Sequence, residues 1–157
     1  MNLYVVRHAF ARAAEPGEDD AERPLTAKGR ARFRKEVKAM AALKLSFDRI
    51  YHSPWLRAVQ TAELLADRLD GQSVVTPHLA QTPGPALLEE LEGQKVAVVG
   101  HQPWLGELCA WLVHGDKAPA DHWELGKGGL VWLEGEPRPS GMELRALMPP
   151  KWLRRLG

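Results

Sequence analysis

One thiol is all the cysteine chemistry this sequence offers. Cys109 has no partner for a disulfide within the chain, which suits a reducing compartment. Its setting, Leu108-Cys109-Ala110-Trp111, reads as a small buried hydrophobe. An excess of either charge is missing too, since 21 Lys and Arg stand against 20 Asp and Glu. No basic field draws nucleic acid as the main ligand, although a few local arginines suffice for a small anion. No apolar run reaches the length that spans a bilayer, so no membrane partner is expected. Met1-Asn2 leads straight into a strand with no charged leader ahead of it, so the expected location is cytoplasmic. The remainder is ordinary globular composition, 45% hydrophobic and 26% charged, without internal repeat or linker. Its 157 residues suit a single domain over 1–157 with a sizeable core.

What the sequence does have begins at once. Leu3-Tyr4-Val5-Val6 is a continuous apolar run of strand-forming types, the pattern of a strand buried on both faces. It delivers Arg7 and His8 with no turn between, at the carboxyl end where open α/β sheets build their sites. A polar loop follows from Arg12 to Arg23, carrying Pro16-Gly17 and the acids Glu15, Glu18, Asp19, Asp20 and Glu22. Thr26 is placed to cap a helix that runs to about Leu43. Phe33, Val37, Met40 and Ala41 share one face of it, with Arg30, Arg34 and Lys38 outside. Phe47 to His52 reads as a second strand. Ser53-Pro54 then opens a helix, the serine as cap and the proline in its first turn. Val59, Ala62, Leu65, Ala66 and Leu69 form its buried face, and Gly71 ends it.

A weak third strand, Val74-Val75-Thr76, precedes a proline-rich loop from Pro77 to Pro85 and a short helix through Leu87, Leu88 and Leu91. Lys95 to Val99 repeats the opening theme, an apolar strand that ends by presenting Gly100-His101. Gln102-Pro103 opens another helix, with Trp104, Leu105, Leu108, Cys109 and Leu112 inward and Gly115 closing it. Asp116 to Lys127 is polar and irregular. Leu130–Leu133 and Glu143–Leu147 read as an antiparallel edge hairpin, and the tail Trp152-Leu153-Arg154-Arg155 is expected to pack loosely. Strands alternating with helices predict a three-layer α/β/α fold, its sheet mostly parallel with an antiparallel edge.

Three of these elements end in unusual polar residues at equivalent places. The first strand gives Arg7 and His8, the helix after the second strand gives Arg57 in its first turn, and the fourth strand gives His101. Two arginines, two histidines and a helix start above one sheet edge make an anion site, because guanidinium groups bind phosphate oxygens in bidentate fashion. A histidine beside two guanidinium charges is disfavoured as a cation and stays a neutral nucleophile. The chemistry this suggests is attack of imidazole nitrogen on phosphorus, giving a phosphohistidine.

The ordered set of motifs resembles the histidine phosphatase superfamily, of phosphoglycerate-mutase-like fold, and within it the small branch of phosphohistidine phosphatases of the SixA type. Arg7-His8-Ala9 is similar to its opening Arg-His-Gly/Ala. Arg23-Pro24-Leu25-Thr26 matches the segment ahead of the first helix. Ser53-Pro54-Trp55-Leu56-Arg57-Ala58-Val59-Gln60-Thr61-Ala62 resembles the Ser-Pro-x-x-Arg-Ala-x-Gln-Thr-Ala signature, and Gly100-His101-Gln102-Pro103 the Gly-His-x-Pro turn. The resemblance implies His8 as nucleophile, with Arg7, Arg57 and His101 binding the phosphoryl oxygens. It implies no metal and no cofactor. It also implies a phosphorylated protein, carrying phosphohistidine, as the partner, with a phosphatase for a small phosphomonoester as the alternative. A catalytically silent phosphate-binding module is the reading from another class. A mutase is least expected, since it needs an enclosing lid and no insertion before Val96 is long enough to form one.

One departure stands out. Mutase-like and acid-phosphatase-like members carry a general acid after the third strand or after the second histidine. Here Pro77-His78-Leu79-Ala80-Gln81-Thr82-Pro83 holds no carboxylate, nor does Gln102-Pro103. Asp20 with Arg23 matches an Asp-x-x-Arg feature of the SixA-like branch and is a candidate for the rim or the acid. Glu89 and Glu90 are alternatives that read more simply as a solvated helix face. His52, His78, His114 and His122 are taken as structural or surface residues. Trp55 and Trp104 each follow a proline that opens a pocket helix, so lining the rim and packing in the core stand as equal alternatives.

Overall fold

The computed structural model describes residues 1–157. Its strands are β1 (Asn2–Arg7), β2 (Phe47–His52), β3 (Leu69–Val75), β4 (Lys95–Gly100), β5 (Leu130–Gly135) and β6 (Met142–Met148). Its helices are α1 (Ala27–Ala42), α2 (Leu56–Leu64), α3 (Pro85–Glu90), α4 (Trp104–His114) and α5 (Pro150–Leu156). The strands form one six-stranded sheet in the order β3-β2-β4-β1-β5-β6. The first four are parallel, and β5 runs against both β1 and β6. This is the α/β/α sandwich with an antiparallel edge that the alternation of elements predicts.

The unbroken apolar runs of β1 and β4 follow from burial on both sides. Leu3, Val5, Val96 and Val98 face one core, packed against α4 and Leu87 of α3. Tyr4, Val6, Ala97 and Val99 face the other, beneath α1, α2 and Leu153 of α5. Thr26 caps α1 as expected, its Oγ1 accepting from the Gly29 amide at 2.8 Å. Gly29 is required here, because a Cβ on it would stand 2.1 Å from the carbonyl oxygen of Phe10. The loop that leaves β1 thus rests directly on the first turn of α1.

Three local expectations need correction. Ser53 does not cap α2, which starts only at Leu56 after Trp55. The serine hydroxyl instead accepts from the Trp55 amide at 3.2 Å and bonds to a histidine. Second, α2 stops at Leu64 and β3 already begins at Leu69, so Gly71 lies inside a strand. Its missing side chain admits the carbonyl oxygen of Asp48, which a Cβ would meet at 2.1 Å, where the β2–β3 register shifts. The buried face of α2 is accordingly Arg57, Ala58, Thr61 and Ala62, while Ala66 is exposed. Third, the tail does not pack loosely. It forms α5, with Leu153 fully buried and Arg154 Nη1 donating to Glu36 Oε1 at 2.5 Å, although Trp152 remains 67% exposed.

Candidate active site

The parallel register sets the site. Arg7 lies opposite Gly100, and the amide of His8 donates to the Gly100 carbonyl at 3.1 Å. On the other side of β4 the Ser53 amide donates to Val99 at 3.0 Å. The carboxyl ends of β1, β4 and β2 therefore present His8, His101 and the Ser53–Arg57 turn side by side. Thr61 ties the first and last of these together, its hydroxyl accepting from Ala9 N at 3.0 Å and donating to the Arg57 carbonyl at 2.6 Å. All three polar side chains are withdrawn from solvent: His8 is 5% exposed, Arg57 3% and His101 2%.

Hydrogen bonding fixes the tautomer of His8. Its Nδ1 lies 2.8 Å from the carbonyl oxygen of Ala9, which can only accept, so Nδ1 carries the proton. Nε2 keeps its lone pair and accepts from Arg57 Nε at 3.3 Å. Burial first, then the charges of Arg57, Arg7 and Lys127, hold the imidazole pKa down to about 3 against the opposing Ala9 bond. His101 is pushed to about 3 as well, by burial and then by His8 and Arg57. Its Nε2 shares a 2.8 Å hydrogen bond with Ser53 Oγ, while Nδ1 is buried without a partner. Arg7 donates from Nη1 to the Leu125 carbonyl at 2.6 Å, and its Nε is likewise buried and unpaired.

These groups line a cavity of about 390 Å³ formed by Arg7, His8, Asp20, Arg23, Trp55, Arg57, His101, Gln102, Trp104 and Lys127. Both tryptophans are in its wall. The Trp55 ring lies 4.5 Å from His101 and 5.6 Å from Trp104, and the Arg57 guanidinium carbon sits 4.7 Å from the Trp55 ring. A second recess of about 540 Å³ adjoins it, sharing Arg7 and Gln102 and bounded by Asp121 and Glu124.

Asp20 and Arg23 reach the cavity from the loop after β1. Asp20 Oδ1 accepts from Arg23 Nε at 2.7 Å and Oδ2 from Arg57 Nη2 at 2.9 Å, while the Asp20 carbonyl accepts from Arg57 Nη1 at 2.6 Å. Burial alone would raise the Asp20 pKa, but the two guanidinium bonds outweigh it and the carboxyl titrates below its ordinary range. It is an anion, not a stored proton. Glu89 is not brought to the site; it is exposed on α3, while its neighbour Glu90 stands 3.5 Å from His78. No group of three or more His, Cys, Asp or Glu is arranged to hold a metal ion.

Reading the sequence missed three members of the site. Lys127 lies in a segment with no periodic pattern, yet Gly128 N donates to the Arg7 carbonyl at 3.0 Å and so seats the lysine beside the end of β1. Gln102 lines the cavity while bracing α4, its side chain bonding Gly106 N and the Trp123 carbonyl, each at 2.8 Å. Ser53, read as a helix cap, holds His101. The only available signal for Lys127 was its position just before the strand that pairs with β1.

Residues 3–82 match the family model of the histidine phosphatase superfamily (branch 1). The chain belongs to that superfamily. Its relatives include an uncharacterized protein of Picosynechococcus sp., 36% identical over 98% of this chain and 99% of that one. Phosphohistidine phosphatase SixA of Escherichia coli is 32% identical over 76% of this chain and 78% of its own. Among solved structures, the protein histidine phosphatase SixA complexed with tungstate superposes with a TM-score of 0.77 at 26% identity, covering 96% and 98% of the two chains. This chain is thus a SixA-like histidine phosphatase, a phosphatase of the hydrolase class.

Proposed function

We propose that this histidine phosphatase hydrolyses phosphohistidine carried on another protein, with His8 as its nucleophile. The observation that carries the choice of substrate is the state of Asp20. It is the one carboxylate on the cavity wall, and two guanidinium groups hold it ionised. No carboxylic acid on this wall is therefore free to protonate a leaving group; Asp121 and Glu124 bound only the adjoining recess. An alkoxide needs that proton badly. The imidazole of phosphohistidine brings its own, because its distal nitrogen takes a proton before the P–N bond breaks.

The geometry supports the remaining steps. His8 Nε2 faces Arg57, so its lone pair points to where a phosphoryl group held by that arginine would lie. Arg7 and Arg57 neutralise the phosphoryl oxygens, and the unpaired His101 Nδ1 is a further donor in the tautomer whose Nε2 accepts from the Ser53 hydroxyl. Attack forms the His8–phosphorus bond and expels the substrate imidazole. Water then attacks phosphorus and returns the electron pair to His8 Nε2, releasing phosphate. The adjoining recess gives a protein-borne side chain room to approach.

The test is competition between a phosphohistidine protein and an alkyl phosphomonoester at equal concentration. Preferred turnover of the P–N substrate is expected. Preference for the alkyl ester would point to a small-molecule phosphatase, and phosphate binding without turnover of either would leave a binding module.

A further inference from the structure

We propose that Lys127 is the proton donor of this site, its ammonium touching the leaving atom as the bond to phosphorus breaks. The inference rests on His8 being the phosphoryl acceptor and adds the acid that reading lacks.

Two observations carry it. The first is that Lys127 is the one cation of the cavity with no hydrogen bond to the protein. Arg7 donates to Leu125, while Arg23 and Arg57 share Asp20. Lys127 forms no such bond; its ammonium nitrogen lies only over the Phe10 ring, 5.1 Å from the centroid. The backbone bonds that join Gly128 and Gly129 to Arg7 hold it at the cavity wall.

The second is elimination among the wall residues. Guanidinium groups do not give up a proton. Asp20 has none to give, and His8 has its single proton on Nδ1, committed to the Ala9 carbonyl. His101 is neutral and hydrogen-bonded to Ser53. Tryptophan and glutamine side chains are not acids in this range. Lys127 alone carries a proton it can release. Burial, then the charges of Arg7, Arg23 and Arg57 facing it across the cavity, lowers its pKa and favours release of that proton. His8, His101 and the ionised Asp20 are the other titratable groups on that wall.

The step balances. The His8 Nε2 lone pair makes the N–P bond while the P–O or P–N bond of the substrate breaks. A departing ester oxygen keeps that electron pair and takes the proton of Lys127, leaving a neutral amine, whereas the imidazole of phosphohistidine, already protonated on its distal nitrogen, leaves neutral with the pair. In the second half-reaction the amine takes a proton from the attacking water and becomes ammonium again. An ammonium is a weaker acid than a carboxylic acid, so alkoxides remain poor leaving groups and the preference for P–N substrates stands.

Substituted aryl phosphates, from 2,4-dinitrophenyl to phenyl phosphate, separate this role from simple charge. Lys127→Arg keeps the cation but cannot donate. Its kcat is expected to fall on the order of 100-fold with phenyl phosphate and only a few-fold with the dinitrophenyl ester, giving a steeper dependence on leaving-group pKa than in the wild type. Lys127→Met should show the same steepening together with a raised KM. An equal loss across the series in Lys127→Arg, or full kcat on phenyl phosphate, would overturn the proposal and leave Lys127 a binding charge. A His8→Ala variant that still turned over the esters would instead remove the phosphoryl acceptor itself, and this inference with it.

Discussion

Arg57 Nε donates to the unprotonated Nε2 of His8 at 3.3 Å, so the guanidinium fixes the orientation of the imidazole. Because the same guanidinium is braced by Asp20, the chain Arg23–Asp20–Arg57–His8 runs without a break from the rim to His8 Nε2.

If that nitrogen is the nucleophile, phosphate should be trapped on it. Rapid quenching under non-acidic conditions is expected to give a protein phosphate that is acid-labile and alkali-stable, mapping to His8. His8→Ala should lose both the adduct and turnover. Near wild-type activity in that variant would rule the nucleophile out.

Removing one preorganised donor should cost turnover steeply. Arg57→Ala is expected to lose about two to three orders of magnitude in kcat. Arg57→Lys should recover only part, because an ammonium makes neither the fork to Asp20 nor the contact with His8 together. Steady-state kinetics on an aryl phosphate would check both.

Asp20→Asn removes the internal counter-anion of Arg57. Inorganic phosphate should then inhibit several-fold more tightly, because it no longer competes with a resident carboxylate, while kcat falls by less than about tenfold. A selective loss of more than about 100-fold on alkyl esters would mark Asp20 as an acid after all.

Three buried groups give opposing slopes of stability against pH. Burial, outweighing its bond to Arg154, raises Glu36 to about 7 in the folded chain. A raised carboxyl pKa means that the folded state holds the proton longer, so this contribution is present at low pH and lost as pH rises toward about 7. His8 and His101, held down to about 3, do the reverse and lose stability as pH falls from about 6.5 toward 3. Melting temperatures of the wild type and Glu36→Gln between pH 4 and 8 should therefore diverge, the variant showing the steeper rise with pH. NMR of the His8 ring should show no titration between pH 8 and 5.

The sheet and the four central side chains were legible because both leave local marks. Buried parallel strands are continuous apolar runs, and a polar residue directly after such a run is conspicuous. The end of α2 was not legible, because Leu65, Ala66 and Leu69 continue a helical spacing that only the approach of Asp48 to Gly71 interrupts. That is a tertiary contact with no sequence period. The helical tail was hidden for a similar reason: α5 is short, and α1 supplies both the seat for Leu153 and the carboxylate for Arg154. Lys127 was invisible because its place depends on the antiparallel pairing of β5 with β1.

The pairing of β1 with β4 has a consequence for how such an enzyme diversifies. The His8 and His101 rings lie 5.1 Å apart, close to the roughly 4.8 Å that separates neighbouring strands. Their separation is thus a unit-cell dimension of the sheet, as fixed as a lattice constant. Changes in the surrounding loops can reshape the cavity rim without disturbing the spacing of the two rings. Substrate range and phosphoryl chemistry can drift independently, the first on loops and the second pinned to backbone that every parallel sheet reproduces.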